Sequence, residues 1–374
     1  MTNIPAESDS GSSTSPQIVT RGSCRRPSEI SLTFSPTSMV QQSANLAGVS
    51  VARIGHGLML MTWVPNPVPD EQCFEAIKAG IDALPAGTKA FLNSGSFYDQ
   101  DLGTGNLELL SRFFVKYPDY ADKTFLSVKG AAGKQGPNCS EENLRAEMDK
   151  IARALGPIKK MDLFQPARVD THHPIEETMR ILATLVKEGH FLHIGISECN
   201  ADTLRKAHAV HPIAAVEIEI SPFSYDHNQK KVLAAATELG VSVIAYSPLG
   251  HGLISGKYKS GADLDAGDLR QSFTRFKDEV ILKHNAEIIE QLNQVAEKRG
   301  VTTAQISIAW VAALGPNVIP LPGSSKVSRT LENLSAGDII LTEEELKQVD
   351  EILAKGVLGD RYWGESDKQA HLWG

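Results

Sequence analysis

From about residue 50 onward, short apolar runs rich in β-branched and aromatic residues alternate with longer stretches of helical period. The runs Ile54–Leu60, Lys89–Asn93, Thr124–Lys129, Met161–Ala167, His193–Ser197, Ala215–Glu219, Ser242–Tyr246 and Asn317–Leu321 predict strands. Apolar spacing over Asp70–Leu84, Ser140–Leu155, Pro174–Lys187, Asp202–Val210 and Asn228–Leu239 predicts helices between them. Regular strand–helix alternation predicts a parallel sheet clothed by helices. About eight such units over roughly 300 residues fit a closed (β/α)8 TIM barrel. The competing arrangement, an open doubly wound sheet, ordinarily carries G-x-G-x-x-G after its first strand. Here Gly55-His56-Gly57 runs on into apolar residues instead.

Two segments break the alternation inside the barrel. Leu249 to about Val280 is rich in glycine, aspartate and lysine and has no period, which suits a functional cover. The last helix opens on Thr342 with Glu345 three residues on, a capping box. The acidic run Glu343-Glu344-Glu345 then reads as a first turn that favours anions. The C-terminal tail from Gly356 to Gly374, with Tyr362, Trp363 and Trp373, is expected to fold over the active-site face. At the other end, residues 1–46 are serine-, threonine- and proline-rich. They lack the apolar area to offset ordering entropy, so a disordered tail is expected, followed by one barrel domain over 47–374.

Composition narrows the function. The formal net charge of −8 disfavours a general nucleic-acid or anionic-membrane partner. No apolar run approaches the roughly 20 residues of a membrane span. The four cysteines, Cys24, Cys73, Cys139 and Cys199, have no C-x-x-C spacing and read as reduced thiols of a cytoplasmic protein. A monomer or weak homo-oligomer is expected. His190-x-x-His193 and His208-x-x-His211 have no acidic or thiol residue at zincin spacing, so both read as structural and no metal is expected.

Barrel enzymes carry their chemistry at the C-terminal strand ends. Polar groups recur there: Trp63 after the first strand, Asn93 and Tyr98 after the second, and Lys129 at the end of the third. Ala167-Arg168, Ser197-Glu198, Glu217 and Glu219, Tyr246-Ser247-Pro248 and Gly323-Ser324-Ser325-Lys326 follow on later strands. Carbonyl reduction needs a hydride, which a nicotinamide supplies, and a proton. A phenol can give the proton if a nearby ammonium favours its phenolate, and Tyr98 with Lys129 is the best-placed pair. The Gly323–Lys326 turn, leading to Arg329, offers N–H groups, hydroxyls and two cations. These suit a ribose 2′-phosphate and point to NADPH.

These residues resemble the aldo-keto reductases over most of the chain from about residue 51. Gly55-His56-Gly57-Leu58-Met59 with Thr62-Trp63 is similar to the family's first strand and nicotinamide-side loop. Gly195-Ile196-Ser197-Glu198 resembles its G-x-S-N step. Ala245 through Tyr246, Ser247, Pro248, Leu249 and Gly250 resembles the segment whose aromatic ring stacks on nicotinamide and whose loop covers the pyrophosphate. Ile319 through Gly323, Ser324 and Ser325 to Glu332-Asn333 resembles its cofactor signature. The resemblance implies a cofactor set of Trp63, Ser197, Glu198, Glu217, Tyr246–Gly250, Gly323–Lys326, Arg329, Glu332 and Asn333. It implies a substrate pocket at Trp63, Tyr98 and Ala167.

The family tetrad of Asp, Tyr, Lys and His becomes Asn93, Tyr98, Lys129 and Ala167 here. The surrounding segments, including Pro212 to Glu217, resemble the fungal pyridoxal reductase branch, which has the same two replacements. Ser96, Asp99 and Ile220 depart even from that branch. The resemblance implies catalytic roles for Tyr98, Lys129 and Asn93 and NADPH-dependent reduction of pyridoxal to pyridoxine. Two alternatives stay open: another carbonyl substrate, as in secondary metabolism, and an NADPH-binding sensor with little turnover. With aspartate lost at position 93, Lys129 is expected to lack a carboxylate partner and to act more fully on Tyr98.

Overall fold

The computed structural model describes residues 40–256, 258, 260–362 and 370–374. Its centre is an eight-stranded parallel sheet in sequential order. We number the strands β1 (His56–Gly57), β2 (Ala90–Gly95), β3 (Thr124–Gly130), β4 (Leu163–Pro166), β5 (His193–Ser197), β6 (Ala215–Glu219), β7 (Ser242–Tyr246) and β8 (Val318–Leu321). A parallel bridge between Gly57 and Gly323, with Gly55 N–H donating to Pro320 O at 2.8 Å, joins the first strand to the last. The sheet therefore closes as the (β/α)8 barrel expected from the alternation.

Strands β5, β6 and β7 match the apolar runs at both ends. The first strand does not. Ile54–Leu60 shrinks to His56–Gly57, because a 3₁₀ turn over Met59–Met61 follows at once. Gly55 shows how tightly the interior is filled: an added Cβ would lie 2.6 Å from the Phe91 ring and 2.9 Å from Leu321. Helices Asp70–Asp82, Glu141–Leu155, Ile175–Lys187, Ala201–Val210 and His227–Leu239 lie where the periodicity places them. Thr303–Ala313 was not predicted as a helix. Its residues from Ala304 to Ala312 are all buried, so it has no polar face and shows no period. Thr342 and Glu345 form the expected capping box, and Glu345 also pairs with Arg299 at 2.6 Å.

The tail boundary at residue 46 needs correction. Ser43–Leu46 pairs antiparallel with Val49–Ala52 in a hairpin. Its two-residue turn, Ala47-Gly48, has φ of 53° and 82°, the left-handed pair that suits tight hairpins. Leu46 and Val51 are fully buried with Phe91, Phe125, Ile244 and Ile319. Lys89 N–H donates to Ser50 O and Ser242 Oγ to Asn45 O, so the hairpin covers the N-terminal strand ends. Short range hid this: four residues with two buried positions carry little pattern. The serine-rich stretch before residue 40 lies outside the described residues.

The described residues between Leu249 and Val280 include 3₁₀ turns at Gly250–Gly252, Gly261–Asp263 and Leu269–Ser272 and a short helix, Thr274–Lys277. The described part of the C-terminal tail lies on the opposite face from the hairpin. Arg168 Nε donates to Ala370 O at 3.0 Å and Asn200 Nδ2 to Trp373 O at 3.1 Å. Trp363 lies outside the described residues. The ring of His193 stacks on Phe125 at 5.8 Å, and His190 sits 3.4 Å from Glu188. Among the described residues no helix is long and apolar enough to cross a membrane.

Candidate active site

The C-terminal ends of β2, β3, β4 and β6 bring four buried polar side chains together. Lys129 Nζ donates to Asn93 Oδ1 at 2.6 Å and to Glu217 Oε1 at 2.5 Å. Asn93 Nδ2 and Gln165 Nε2 both donate to the other oxygen, Glu217 Oε2, at 2.7 and 2.6 Å. Glu217 is thus filled by three donors inside the barrel. This corrects the expectation for Lys129: a carboxylate faces it, but from β6 rather than β2.

Tyr98 sits above this cluster. Its backbone is fixed by Thr62 Oγ1, which donates to Tyr98 O at 2.6 Å, and Asn106 Nδ2 in turn holds Thr62 Oγ1 at 2.9 Å. Gly95 is required beneath the ring, where an added Cβ would come within 2.8 Å of Tyr98. Lys129 Nζ lies 5.4 Å from the ring centroid. Burial pushes the Tyr98 phenol above its ordinary range; Lys129 opposes this, and the Glu217 charge adds to it. The simple expectation of a lowered phenol is therefore corrected: the group is a neutral acid at neutral pH. Burial works against the Lys129 ammonium, but Glu217 and Tyr98 together outweigh it and hold the lysine above its usual value.

Phe97, Tyr98 and Ala167 pack as one buried cluster, with Trp63 half-buried against it. Trp63 stands 5.7 Å from Tyr98 at an interplanar angle of 35° and edge-on to Phe97. The three expected pocket residues are thus together, in an aromatic surround.

Along the rim, Ser197, Glu198 and Tyr246 end β5 and β7. Glu198 and Ser247 take positive φ of 51° and 49°, which turns the chain sharply there. Arg361, from the C-terminal tail, reaches into this corner. Its Nη2 donates to Glu198 Oε1 and its Nε to Glu219 Oε2, both at 2.8 Å. The same Nη2 meets Tyr246 Oη at 2.9 Å, and Tyr362 Oη lies 2.8 Å from Tyr246 Oη. Burial alone would push Glu219 up; Arg361, then His251 and Arg275, more than offset it and hold the carboxyl well below the usual range. Arg361 carries no sequence signal beyond an isolated charge beside aromatics, and it was not among the expected site residues.

The β7 loop turns on Gly250 N–H donating to Ser247 O at 2.9 Å, with Pro248 and Leu249 inside the turn. Beyond β8, Gly323 bridges to Gly57, and Ser324 Oγ contacts Thr330 Oγ1 at 2.7 Å and His56 Nε2 at 3.1 Å. Ser325 O accepts from Gln72 Nε2 at 2.8 Å. Lys326 is exposed at the start of helix Val327–Ser335, and Arg329 lies 3.6 Å from Glu332, half-exposed. Glu332 also accepts from Thr302 Oγ1 at 2.8 Å. Two buried atoms in the expected cofactor set, Ser197 Oγ and Asn333 Oδ1, have no hydrogen-bond partner. Unpaired buried polar atoms are costly, and both could be satisfied by a bound amide or amine. The residues present fit a dinucleotide laid from β5 and β7 to the loop after β8.

Fold and rim together define a barrel with a buried phenol–ammonium pair beside a run of polar groups along the same rim. The chain belongs to the aldo/keto reductase family, whose model matches residues 53–354. It is therefore an oxidoreductase of a family that uses nicotinamide cofactors. It is 38% identical over 323 residues to a probable pyridoxal reductase of Schizosaccharomyces pombe, covering 84% of this chain and 96% of that one. A putative pyridoxal reductase of Saccharomyces cerevisiae is 34% identical, with 82% and 95% covered. An aldo-keto reductase of Strobilurus tenacellus is 38% identical, with 75% and 82% covered. Among solved structures, a glycerol dehydrogenase from Gluconobacter oxydans superimposes with a TM-score of 0.72 at 23% identity, covering 84% of this chain and 95% of that one. That likeness concerns the fold.

Proposed function

We propose that the chain is an NADPH-dependent reductase of a flat aromatic aldehyde, pyridoxal above other carbonyl compounds. The observation that carries this reading is the neutral Tyr98 phenol held beside Lys129 on the floor of the aromatic surround that includes Ala167. A nicotinamide bound along β5 and β7 would supply the hydride. Tyr98 Oη then donates its proton to the carbonyl oxygen, while Lys129 stabilises the phenolate left behind. Trp63 and Phe97 keep the reacting face dry, and Ala167 leaves room beside it for a substituted ring. Ser197 would hold an amide and Asn333 an adenine edge, through the oxygens now without partners. The names of the two yeast relatives support pyridoxal. Free thiols at Cys73, Cys139 and Cys199 support work in a reducing, cytoplasmic setting.

NADPH is expected over NADH because Lys326 and Arg329 flank the site of a 2′-phosphate. Arg329→Ala should weaken NADPH binding by roughly 1–3 kcal/mol, the scale of a charged hydrogen bond, and leave NADH nearly unchanged. Equal loss for both would place the phosphate elsewhere.

The substrate is tested by NADPH consumption. Pyridoxal should give a higher specificity constant than aliphatic aldehydes or sugars. Ala167→His should depress pyridoxal turnover more than turnover of a small aldehyde. Inert pyridoxal beside brisk reduction of another carbonyl would keep the reaction and discard the substrate. Tight NADPH binding with no carbonyl reduced would make the chain a sensor.

A further inference from the structure

We infer that Glu217 is the positioning carboxylate of the proton-donating pair, set on β6 in place of one on β2, and that Asn93 is its neutral complement. The inference rests on the reductase reading of the site. Three facts carry it. Lys129 Nζ is clamped between Glu217 Oε1 and Asn93 Oδ1 at 2.5 and 2.6 Å. Asn93 Nδ2 returns to Glu217 Oε2 at 2.7 Å, so lysine, amide and carboxylate form a closed ring of hydrogen bonds. Gln165 Nε2 holds the same Oε2 at 2.6 Å, which pins the carboxylate in place.

The chemistry of the ring explains the residue types. One carboxylate balances one ammonium in a volume where all members are buried. A second carboxylate at position 93 would face Glu217 at the distance the Asn93 amide now bridges, and like charges that close cannot both ionise. The amide accepts from Lys129 and donates to Glu217 at once without taking up a proton, which an ionised carboxylate cannot do. The asparagine is thus matched to the glutamate. The charged groups acting on Tyr98 are Lys129 from β3, Glu217 from β6 and Arg168 after β4; Glu217 is the single negative one among them. It disfavours the phenolate, while Lys129 favours it. Glu217 therefore adds to burial in disfavouring the phenolate and fixes the ammonium where it can meet the phenolate formed on proton transfer.

Two variants test this. Glu217→Gln removes the charge; Asn93→Asp with Glu217→Gln moves it to the other side of Lys129 and leaves the charge count unchanged. In the single variant the phenolate is less opposed. Tyr98 should deprotonate at a pH lower by about one unit or more, the scale for a close charge. The alkaline limb of kcat/KM for carbonyl reduction should move down with it. The double variant should return both toward the parent values. Tyr98 is followed by tyrosinate absorbance, as the difference from the same protein carrying Tyr98→Phe, a readout that needs no turnover. If the parent protein reduces no carbonyl, the absorbance titration still decides the role of Glu217, and the reductase reading fails alone. Identical Tyr98 titrations in parent and Glu217→Gln proteins overturn the inference. So does a double variant that tracks the single one, since restoring a carboxylate to the Lys129 clamp then has no effect on the phenol. Should Glu217→Gln fail to fold, the charge-conserving double variant alone decides: it must keep a parent-like Tyr98 titration.

Discussion

Tyr98→Phe should cut carbonyl reduction by about 10²–10⁴-fold, the usual contribution of a positioned general acid, with cofactor affinity unchanged. The substitution is clean because the ring stays useful. Its centroid lies 5.2 Å from Phe97 and 5.7 Å from Trp63, contacts that phenylalanine keeps. Its backbone is held through Thr62 and Asn106, not through the hydroxyl. Lys129 keeps Glu217 and Asn93 as partners, so no buried ammonium is stranded. Only Oη is lost. In the parent enzyme, burial holds the phenol above its ordinary range. Reduction should therefore be insensitive to Tyr98 ionisation across neutral pH and fall only at alkaline pH, as the proton is lost. Turnover and cofactor titration on the same preparation check this. Near-parental reduction by the variant would remove Tyr98 from the mechanism.

Arg361→Ala should destabilise the protein by about 3–5 kcal/mol, the range for breaking a buried ion pair from one side, and should loosen the tail at the corner formed by Glu198 and Glu219. Glu198 and Glu219 are fully buried, and Arg361 donates to both. Removing the guanidinium leaves their charges facing each other across the corner, with His251 and Arg275 as the remaining partners near Glu219. The sign with pH follows. The folded-state carboxyl of Glu219 is depressed in the parent protein, so its contribution is present above the unfolded carboxyl range. It is lost only as pH falls through the depressed folded value. In the variant the same carboxyl is penalised by burial with less compensation. The gap in stability should therefore be largest near neutral pH and shrink as pH falls toward and below the ordinary glutamate range. Thermal or denaturant unfolding across that window measures it. A gap that stays constant with pH would mean that lost packing against Trp373, 5.3 Å away, outweighs the charges. Arg361→Lys should recover part of the stability but not the forked contact to two carboxylates.

Much of this molecule is local and could be read from the chain. Strands β5 to β7 stand where the apolar runs stand, because a barrel strand buried on both faces is mostly apolar, with Glu217 and Glu219 as the charged exceptions in β6. The capping box at Thr342 is legible because cap and acid lie three residues apart. Tyr98, Lys129, Ser197, Tyr246 and the Gly323–Lys326 turn fall at one rim, because a parallel barrel puts every C-terminal strand end on the same face. What the sequence does not hold is the pairing of charges across that rim. Asn93 and Glu217 are 124 residues apart, and Arg361 is 142 residues from Glu219 and 163 from Glu198. No periodicity or spacing links such positions. Barrel closure decides that the missing carboxylate beside Lys129 is replaced from the far side. The docking of the tail decides that two buried glutamates share one arginine. A buried charge is tolerated only where a counter-charge arrives, and for these residues the counter-charge arrives through tertiary structure alone.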